Sequence, residues 1–312
     1  MATGDLLNIV QTAMVELGLQ SPSTVVANSD PQVQQFYYLT NRTGRELQQD
    51  MDWSALQTLM IIQIGAPVVT TGNTVTGSGV VTGIPSTASI SASTFVASGN
   101  GIPVAARVAS VDSLTQVTLD SYATATQTGA ALTFAKDTYP FPADFDRFIN
   151  RTGWDRTNRW ELLGPDSPQI DEWHRSGVVT VGPRRHFRQV GQLPNALRFW
   201  PPPAVLDTPF ELAQEYISAY WVNSVGGTGK ISFTADDDTS LIDYQAIVLG
   251  LKWRYFQTKG FDYAPLQQEA LDYVQRRYGM DGGARTLNLS RTDAPYLITS
   301  GNVQDGFYPG NT

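Results

Sequence analysis

The residues best suited to metal or acid–base chemistry are the two histidines of the chain, His174 and His186, with Asp171 and Glu172 near the first. Zinc sites combine histidine, cysteine and carboxylate ligands at short, characteristic spacings. A turn-rich stretch separates these two histidines. The chain also contains no cysteine, which excludes disulfides, thiolate zinc sites and cysteine nucleophiles. The sequence therefore predicts no metal site and no cofactor.

Two other stretches have the residue types of ligand-binding loops. The acidic run 236–238 lacks the glycine and the distal glutamate of an EF-hand calcium loop, so we expect it to cap the helix that follows. The glycine-rich residues 226–230 end in Lys230, but Ile231 stands where a phosphate-binding loop has Ser or Thr, which favours a hairpin turn. No nucleophile–base pair or carboxylate pair stands out, and we predict that the protein is not an enzyme.

One constellation combines arginine with aromatic residues in a chain whose net charge is −8. Arginine forms bidentate ion pairs and stacks on aromatic rings, so such a cluster suits a protein interface as well as a phosphate. Three interpretations remain open: pairing with acidic residues between positions 144 and 161, an interface between subunits or with a partner, and direct contact with DNA. The candidate interface residues are Arg147, Arg151, Trp154, Arg156, Arg159, Arg184, Arg185 and Arg188.

Length and composition limit the class of protein. A chain of 312 residues can bury a sizeable core in about two domains. Charged residues make up 16% of it and the net charge is negative, which argues against a general binder of the nucleic-acid backbone. The N-terminal residues have neither the basic region nor the apolar run of a secretion signal, and no stretch reaches the ~18 apolar residues of a membrane span. We therefore expect a soluble protein made in a cytoplasm.

Apolar residues at steps of three and four predict two helices near each end of the chain. The first is predicted over 5–18, with Gly18 at the C′ position that terminates it, and the second over 30–50, begun by Asp30 and Pro31. The C-terminal pair is predicted over 239–278, interrupted at Gly260 and ended by glycines 282–283. Between the two pairs the pattern predicts strands over 56–64, 197–200 and 210–222, a short helix over 169–176, and the hairpin noted above.

Residues 66–136 differ in composition from the rest, with many Val, Thr, Ser, Gly and Ala and few charges. Short alternating runs separated by turns predict a sandwich or barrel of about six strands. We interpret this segment as an all-β domain inserted at a surface site of the host fold. A disordered Ser/Thr-rich linker is the alternative, but apolar residues at strand period argue against it.

The predicted fold class is α+β. An adaptor core, residues 1–65 and 137–283, would combine a bundle of the N- and C-terminal helices with a β-rich middle, and would carry the 66–136 insert. Residues 284–312 are too apolar for a solvated tail, so we expect an extended docking arm. Its candidate contact residues are Leu287, Leu289, Tyr296, Leu297, Ile298, Phe307 and Tyr308.

The order of these features resembles the head-to-tail adaptors of short-tailed bacteriophages, the tail tubular protein A or head-completion type. The resemblance covers about three-quarters of the chain, everything except the insert. It rests on the order of elements and on no catalytic or diagnostic motif. The stretches that carry it are the first helix, Asp30-Pro31, Asp52-Trp53, residues 141–147, 154–159 and 215–222, the closing helix pair and the tail. The insert separately resembles small β-domains of phage tail and decoration proteins.

The resemblance implies a virion protein at the head–tail junction, made in the bacterial host. Copies of the chain would form a ring, expected to be a dodecamer, below the portal protein. The C-terminal arm would reach the portal, the other end would receive the tail nozzle, and genomic DNA would pass through without specific recognition. An acidic duct would repel DNA and let it slide. The alternative function is a receptor- or glycan-binding tail module carried by the insert, whose aromatic residues are Phe95, Tyr122 and Phe134.

Overall fold

The computed structural model describes residues 4–176, 185–191, 196–204 and 209–282. Arg184 and the predicted arm, 284–312, lie outside these residues. Within them the chain is mixed α+β, with five α-helices and antiparallel strands in small sheets. The helices are α1 (Leu6–Glu16), α2 (Pro31–Asp50), α3 (Pro168–Arg175), α4 (Tyr244–Lys259) and α5 (Ala264–Asp281). No helix in this part of the chain is long and apolar enough to cross a bilayer.

Four strands, β1, β2, β7 and β14, have seven to ten residues, and the others have six or fewer. They are β1 (Gln57–Ile64), β2 (Val68–Thr74), β3 (Val80–Val81), β4 (Phe95–Gly99), β5 (Val108–Ser113), β6 (Gln116–Leu119), β7 (Gln127–Lys136), β8 (Thr138–Pro140), β9 (Phe145–Phe148), β10 (Trp154–Asp155), β11 (Trp160–Glu161), β12 (His186–Val190), β13 (Ala196–Trp200), β14 (Phe210–Ser218), β15 (Val222–Asn223), β16 (Gly229–Lys230) and β17 (Thr239–Ser240).

Local capping explains where the N-terminal helices begin and confirms both predictions. The Asp5 side chain accepts a 2.6 Å hydrogen bond from the backbone N–H of Asn8 at the start of α1. Asp30 does the same for Gln32, and Pro31 occupies the first position of α2, where its missing N–H costs nothing. Gly18, with a φ of 72°, follows the end of α1 in the left-handed region that glycine adopts most easily.

The predicted cap of the C-terminal pair is wrong. Helix α4 begins only at Tyr244, and the carboxylate of Asp243 caps it by accepting from Gln245 N–H. Residues 236–238 lie at least five positions earlier, and the predicted first helical residues belong to β17. The acidic run instead makes a long-range contact, in which Asp236 accepts hydrogen bonds from the backbone N–H groups of Val25 and Val26. It also closes a local turn through Asp238, which accepts from the N–H groups of Thr234 and Ala235. The end of α4 at Gly260, whose φ is 76°, is confirmed.

Asp238 is the most buried acid of this run. Its side chain is 1% exposed and accepts hydrogen bonds from Lys230 Nζ and from the backbone N–H groups of Thr234 and Ala235. Burial by itself raises the pKa of Asp238, but the ammonium and the two N–H donors outweigh it and hold that pKa below its ordinary value. Asp238 therefore fixes the loop that follows the β15–β16 hairpin, and this hairpin confirms the turn predicted at 226–230.

Helices α1, α2, α4 and α5 contribute to one hydrophobic cluster. Its largest fully buried side chains include Trp53, Trp221 and Phe233. Gly44 of α2 lies against Trp221, where a Cβ would come within 2.1 Å of the indole ring. The close approach of helix and ring thus depends on a residue without a side chain.

The largest sheet has the order β1-β14-β10-β11, and β9 pairs with a further part of β14. Its inner face contributes Met60, Ile62 and Ile64 to a second hydrophobic cluster, which the small sheet β12-β13-β8 completes with Phe187 and Phe199. The predicted strand over 210–222 is interrupted, because β14 ends at Ser218 after a bulge and the chain turns before β15.

Residues 68–136 form two three-stranded sheets, β2-β7-β4 and β3-β6-β5, around a third hydrophobic cluster. The six strands β2 to β7 agree with the number predicted for this segment. The described strands form no barrel, so that part of the prediction is wrong. Each sheet has three strands, too few to curl round and close on itself.

Candidate functional site

The predicted basic and aromatic cluster is divided by the fold. Arg151, Trp154, Arg156 and Arg159 meet around one open groove, whose volume is about 480 Å³, on the outer face of the largest sheet. Arg147 lies elsewhere, on β9 beside the end of α2, and the other two described arginines of the predicted cluster, Arg185 and Arg188, lie beside and on β12. The other residues that line the groove are Leu59, Thr152, Asp155, Ala213 and Glu215.

Strand register places the aromatic and aliphatic residues of this groove side by side. Ala213 of β14 is opposite Ile61 of β1 on one side and opposite Trp154 of β10 on the other. The next outward pair along β1 and β14 is Leu59 and Glu215. Leu59 is 42% exposed, Ile61 47% and Trp154 36%, so the groove borders a row of apolar side chains in contact with solvent. A contiguous exposed apolar row of this kind is typical of an interaction surface.

The arginines of the groove lie on the short β10–β11 hairpin and the turn before it. Arg151 and Arg159 have positive φ values of 62° and 61°, a conformation that costs a residue with a side chain about 1 kcal/mol or more. Arg156 pairs with Glu211 at 3.2 Å, and its side chain is 47% exposed. Exposed guanidinium groups beside apolar side chains suit a protein interface, where arginine is enriched.

The arginines outside the groove are paired within the chain. Arg147 donates to Asp52 at 2.9 Å and to the backbone carbonyl of Met51 at 3.0 Å, and it also pairs with Asp146. These contacts tie the end of α2 to β9. The pair with Asp146 agrees with the first interpretation given above, in which the arginines pair with acidic residues of the same chain.

The two described arginines near β12 are similarly engaged. Arg185 donates to the carbonyl of Pro201 at 2.8 Å, and its guanidinium lies 4.1 Å from the ring centre of Phe210. Arg188 pairs with the buried Asp171 at 2.7 Å. An interface role for these arginines stays a prediction, whereas their described contacts stabilise the fold of this chain.

Strand β1 forms an edge of the largest sheet. It pairs with β14 along eight residues, and no other described strand pairs with its opposite side. Its sequence, QTLMIIQI, contains no charged residue and no proline. Proteins usually protect an edge strand of this length with lysine, proline, a bulge or a covering element, because its free backbone groups can pair with another chain. The uncharged edge beside the groove thus lacks the protective features that are usual on an edge strand of this length.

The structure also brings together three side chains that could hold a metal ion. Donor atoms of Asp166, His174 and His186 all lie within 4.8 Å of one another, and no other such group occurs among the described residues. This group was not predictable from residue spacing, because a turn-rich stretch separates the two histidines and Asp166 precedes both. The spacing of residues along the chain does not indicate that α3 and β12 will face each other.

Sequence reasoning also missed the apolar half of the groove. Leu59 lines the groove and Ile61 lies next to it along β1. They are 42% and 47% exposed, yet the strand prediction assigned neither of them an outward role. The useful signal was the pair of apolar residues, Leu59 and Ile61, at outward positions of β1 between Gln57 and Gln63, where a solvated face would have polar residues. A comparison with models of known protein families finds no match for this chain, and neither does a comparison with curated proteins.

Proposed function

We propose that the protein is a non-enzymatic structural subunit that assembles with copies of itself into a ring. The proposed ring is a head-to-tail adaptor of a short-tailed phage virion, joining the portal protein to the tail nozzle around the DNA channel. The observation that carries the self-assembly step is the uncharged edge strand β1 beside the groove of Arg151, Trp154, Arg156 and Arg159. The phage assignment rests on the order of sequence features described above.

Three properties of this surface favour a second copy of the chain as its occupant. The free edge of β1 offers backbone donors and acceptors for strand pairing. The adjacent row of Leu59, Ile61 and Trp154 offers apolar area. The groove places three arginines on a chain whose net charge is −8, so the average surface of another copy complements it. A contact between two different faces of identical chains closes into a ring when the rotation between copies allows.

The finer layout of the fold forms part of the proposal. Helices from both ends of the chain share one cluster, which supports a bundle built from 1–65 and 137–283. Residues 68–136 have their own cluster, and Val68 of β2 is opposite Phe134 of β7, so the chain enters and leaves this segment at neighbouring positions. Adjacent ends are what an inserted domain requires. We propose that this segment is such an insert, and that 284–312 is the portal-docking arm.

The alternative of a glycan-binding insert has less support. Sugar sites use exposed aromatic faces, but Phe95 is 8% exposed and Phe134 is fully buried in the core of the segment. Tyr122, which is 74% exposed, is the remaining aromatic residue of the three considered.

The native mass of the purified chain tests the proposal. Sedimentation velocity of the full chain, alone and mixed with the portal protein of the same virus, should show a ring in at least the mixture. A chain that stays monomeric in both samples at high micromolar concentration contradicts the assignment. Deleting 284–312 should leave the fold intact and abolish portal binding, so normal capture of the portal by that truncation overturns the role of the arm.

Charged substitutions on the edge strand test which surface assembles. Leu59→Lys and Ile61→Lys together should block self-association, because they place ammonium groups in the apolar row. Leu114→Lys is the matched control, since Leu114 is 73% exposed and lies in the β-rich segment away from the groove. Assembly that survives the double substitution, or that fails equally in the control, rejects this surface.

A further inference from the structure

Three side chains from three elements converge beside the sheet β12-β13-β8. Asp166 lies in the turn before α3, His174 in the last turn of α3, and His186 at the start of β12. The Asp166 carboxylate lies 3.2 Å from Nδ1 of His186 and 3.7 Å from Nε2 of His174. The two imidazole rings have centres 4.3 Å apart. One carboxylate thus faces both histidines of the chain.

Backbone contacts fix the position of Asp166 relative to β12. Its N–H donates to the carbonyl of Phe187 at 2.8 Å, and the Phe187 N–H donates to the carbonyl of Leu163 at 2.8 Å. Gly164 packs so closely on Phe187 that a Cβ would meet the Phe187 carbonyl oxygen at 2.5 Å. The backbone of residues 163–166 is therefore anchored to β12 by main-chain hydrogen bonds, which places the Asp166 side chain beside the start of that strand.

Helix α3 places His174 with similar definition. Ser167 caps the helix by accepting from Ile170 N–H, and Asp171 anchors it to the sheet through Arg188 and Arg198. The His174 side chain is 10% exposed and that of Asp166 is 12% exposed, while that of His186 is 25% exposed. The group is mostly enclosed, with its open side at His186.

We propose that Asp166, His174 and His186 bind a divalent cation of borderline softness, for which Zn²⁺ is the best match. Two imidazoles and one carboxylate are a ligand set that zinc uses, with a water or another group in the fourth position. Zinc bound at ~2.0–2.1 Å by tetrahedral ligands holds their donor atoms ~3.3 Å apart. The separations of 3.2 and 3.7 Å from the carboxylate oxygen are close to that value. The two imidazole donor atoms lie within 4.8 Å of each other, so binding would draw them together by no more than about 1.5 Å. The partial exposure of His186 leaves room for entry of the ion and for the fourth ligand.

The proposed ion would cross-link α3 and β12. It would join the turn before α3, the end of that helix and the start of the strand, next to the ion pairs that Asp171 makes with Arg188 and Arg198. This site is separate from the groove on the largest sheet, and its test is independent of whether the chain forms a ring. Without an ion, the Asp166 carboxylate would instead hydrogen-bond to the imidazoles. The experiment must distinguish this arrangement from a bound metal ion.

Direct metal titration of the full chain tests the site. The protein is prepared without a histidine tag, stripped with a chelator and titrated with ZnCl₂ against a chromogenic zinc indicator. Because the chain has two histidines and no cysteine, few competing sites exist. We expect one tightly bound ion per chain. His174→Gln, His186→Gln and Asp166→Asn should each weaken binding by at least about 100-fold, since even the loss of an outer partner costs 10- to 100-fold.

Glu172→Gln is the matched control, because Glu172 is an exposed acid on the same helix and is not a member of the group. It should bind zinc as the unchanged chain does. Failure to take up zinc at millimolar concentration, or uptake that persists in the histidine variants, overturns the proposal. If the variants do not fold, the imidazole ¹⁵N resonances of the unchanged chain decide. Zinc should shift the signals of both histidines together at one equivalent, and unchanged signals overturn the site.

Discussion

Arg156→Ala separates the two roles that an arginine of the groove can have. Arg156 pairs with Glu211 at 3.2 Å, and their side chains are 47% and 29% exposed. An exposed pair of this kind contributes about 0–1 kcal/mol to the free energy of unfolding, because solvent screens it and ordering two long side chains costs entropy. If Arg156 lies instead at the centre of a subunit interface, its removal should weaken association by about 2 kcal/mol, or about 30-fold in Kd.

Two measurements on the same variant make the comparison. Sedimentation velocity over a concentration series gives the association constant, and urea unfolding at a concentration where the chain is monomeric gives the free energy of unfolding. Arg42→Ala is the control. Arg42 is an exposed arginine of α2 that pairs with Glu46 at 2.8 Å and does not line the groove. Both variants lose one positive charge, so a general charge effect appears equally in both.

The expected result is a large loss of association for Arg156→Ala with little change in unfolding, and neither effect for Arg42→Ala. A fall in unfolding free energy of more than about 2 kcal/mol for Arg156→Ala refutes the reasoning, because a screened surface pair cannot contribute so much. Unchanged association also refutes it, and the role of Arg156 would then be limited to its pair with Glu211.

Three further predictions concern stability. Arg107→Ala should lower the free energy of unfolding by about 3–5 kcal/mol in urea titrations, because it leaves the carboxylate of Asp137, whose side chain is 2% exposed, without its two-bond partner. Asp238→Asn should flatten the acid limb of the stability–pH curve: the folded pKa of Asp238 is lowered, so its contribution is complete above about pH 4 and is lost as the pH falls through the folded value. Gly44→Ala should lower the Tm, since its methyl group would overlap the Trp221 ring and relief of such overpacking costs about 1–3 kcal/mol.

Matched substitutions give these predictions their controls. Gly279→Ala changes a glycine of α5 with nothing within 4 Å of the added carbon, so it should raise stability by up to about 1 kcal/mol, and a loss as large as that of Gly44→Ala argues against overpacking. Asp237→Asn, at an exposed neighbour, should keep the acid limb that Asp238→Asn loses. If Arg107→Ala unfolds no more easily than Arg42→Ala, the buried pair is not the stabilising contact inferred here.

Much of the secondary structure follows from local chemistry. The start of α2 needs only Asp30 and Pro31, and the end of α4 needs only Gly260, because a cap or a left-handed residue acts within one turn of its own position. The alternating runs of residues 68–136 likewise locate strands. The acidic run 236–238 misled the same reasoning, since a carboxylate that caps a helix and one that closes a turn look identical in the sequence.

The candidate sites were less accessible to such reasoning. The sequence showed that Arg151, Trp154, Arg156 and Arg159 form an unusual group, and the structure does gather them around one groove. It could not show that Ile61 would complete their surface, because Ala213 lies between Ile61 and Trp154 through pairings of strands that are distant along the chain.

The amino-acid sequence by itself determined the mixed α+β class, the main helices, the N-cap of α2 and the absence of cysteine chemistry, because each depends on residue types and short-range periodicity. Only the tertiary structure decided that β1 ends a sheet with one edge uncovered by any described strand, and that Asp166 faces His174 and His186. Both results depend on long-range packing. Strand pairing and helix docking bring together residues that no local pattern relates. Which strands pair and which helices dock is decided by the apolar area that the whole core buries.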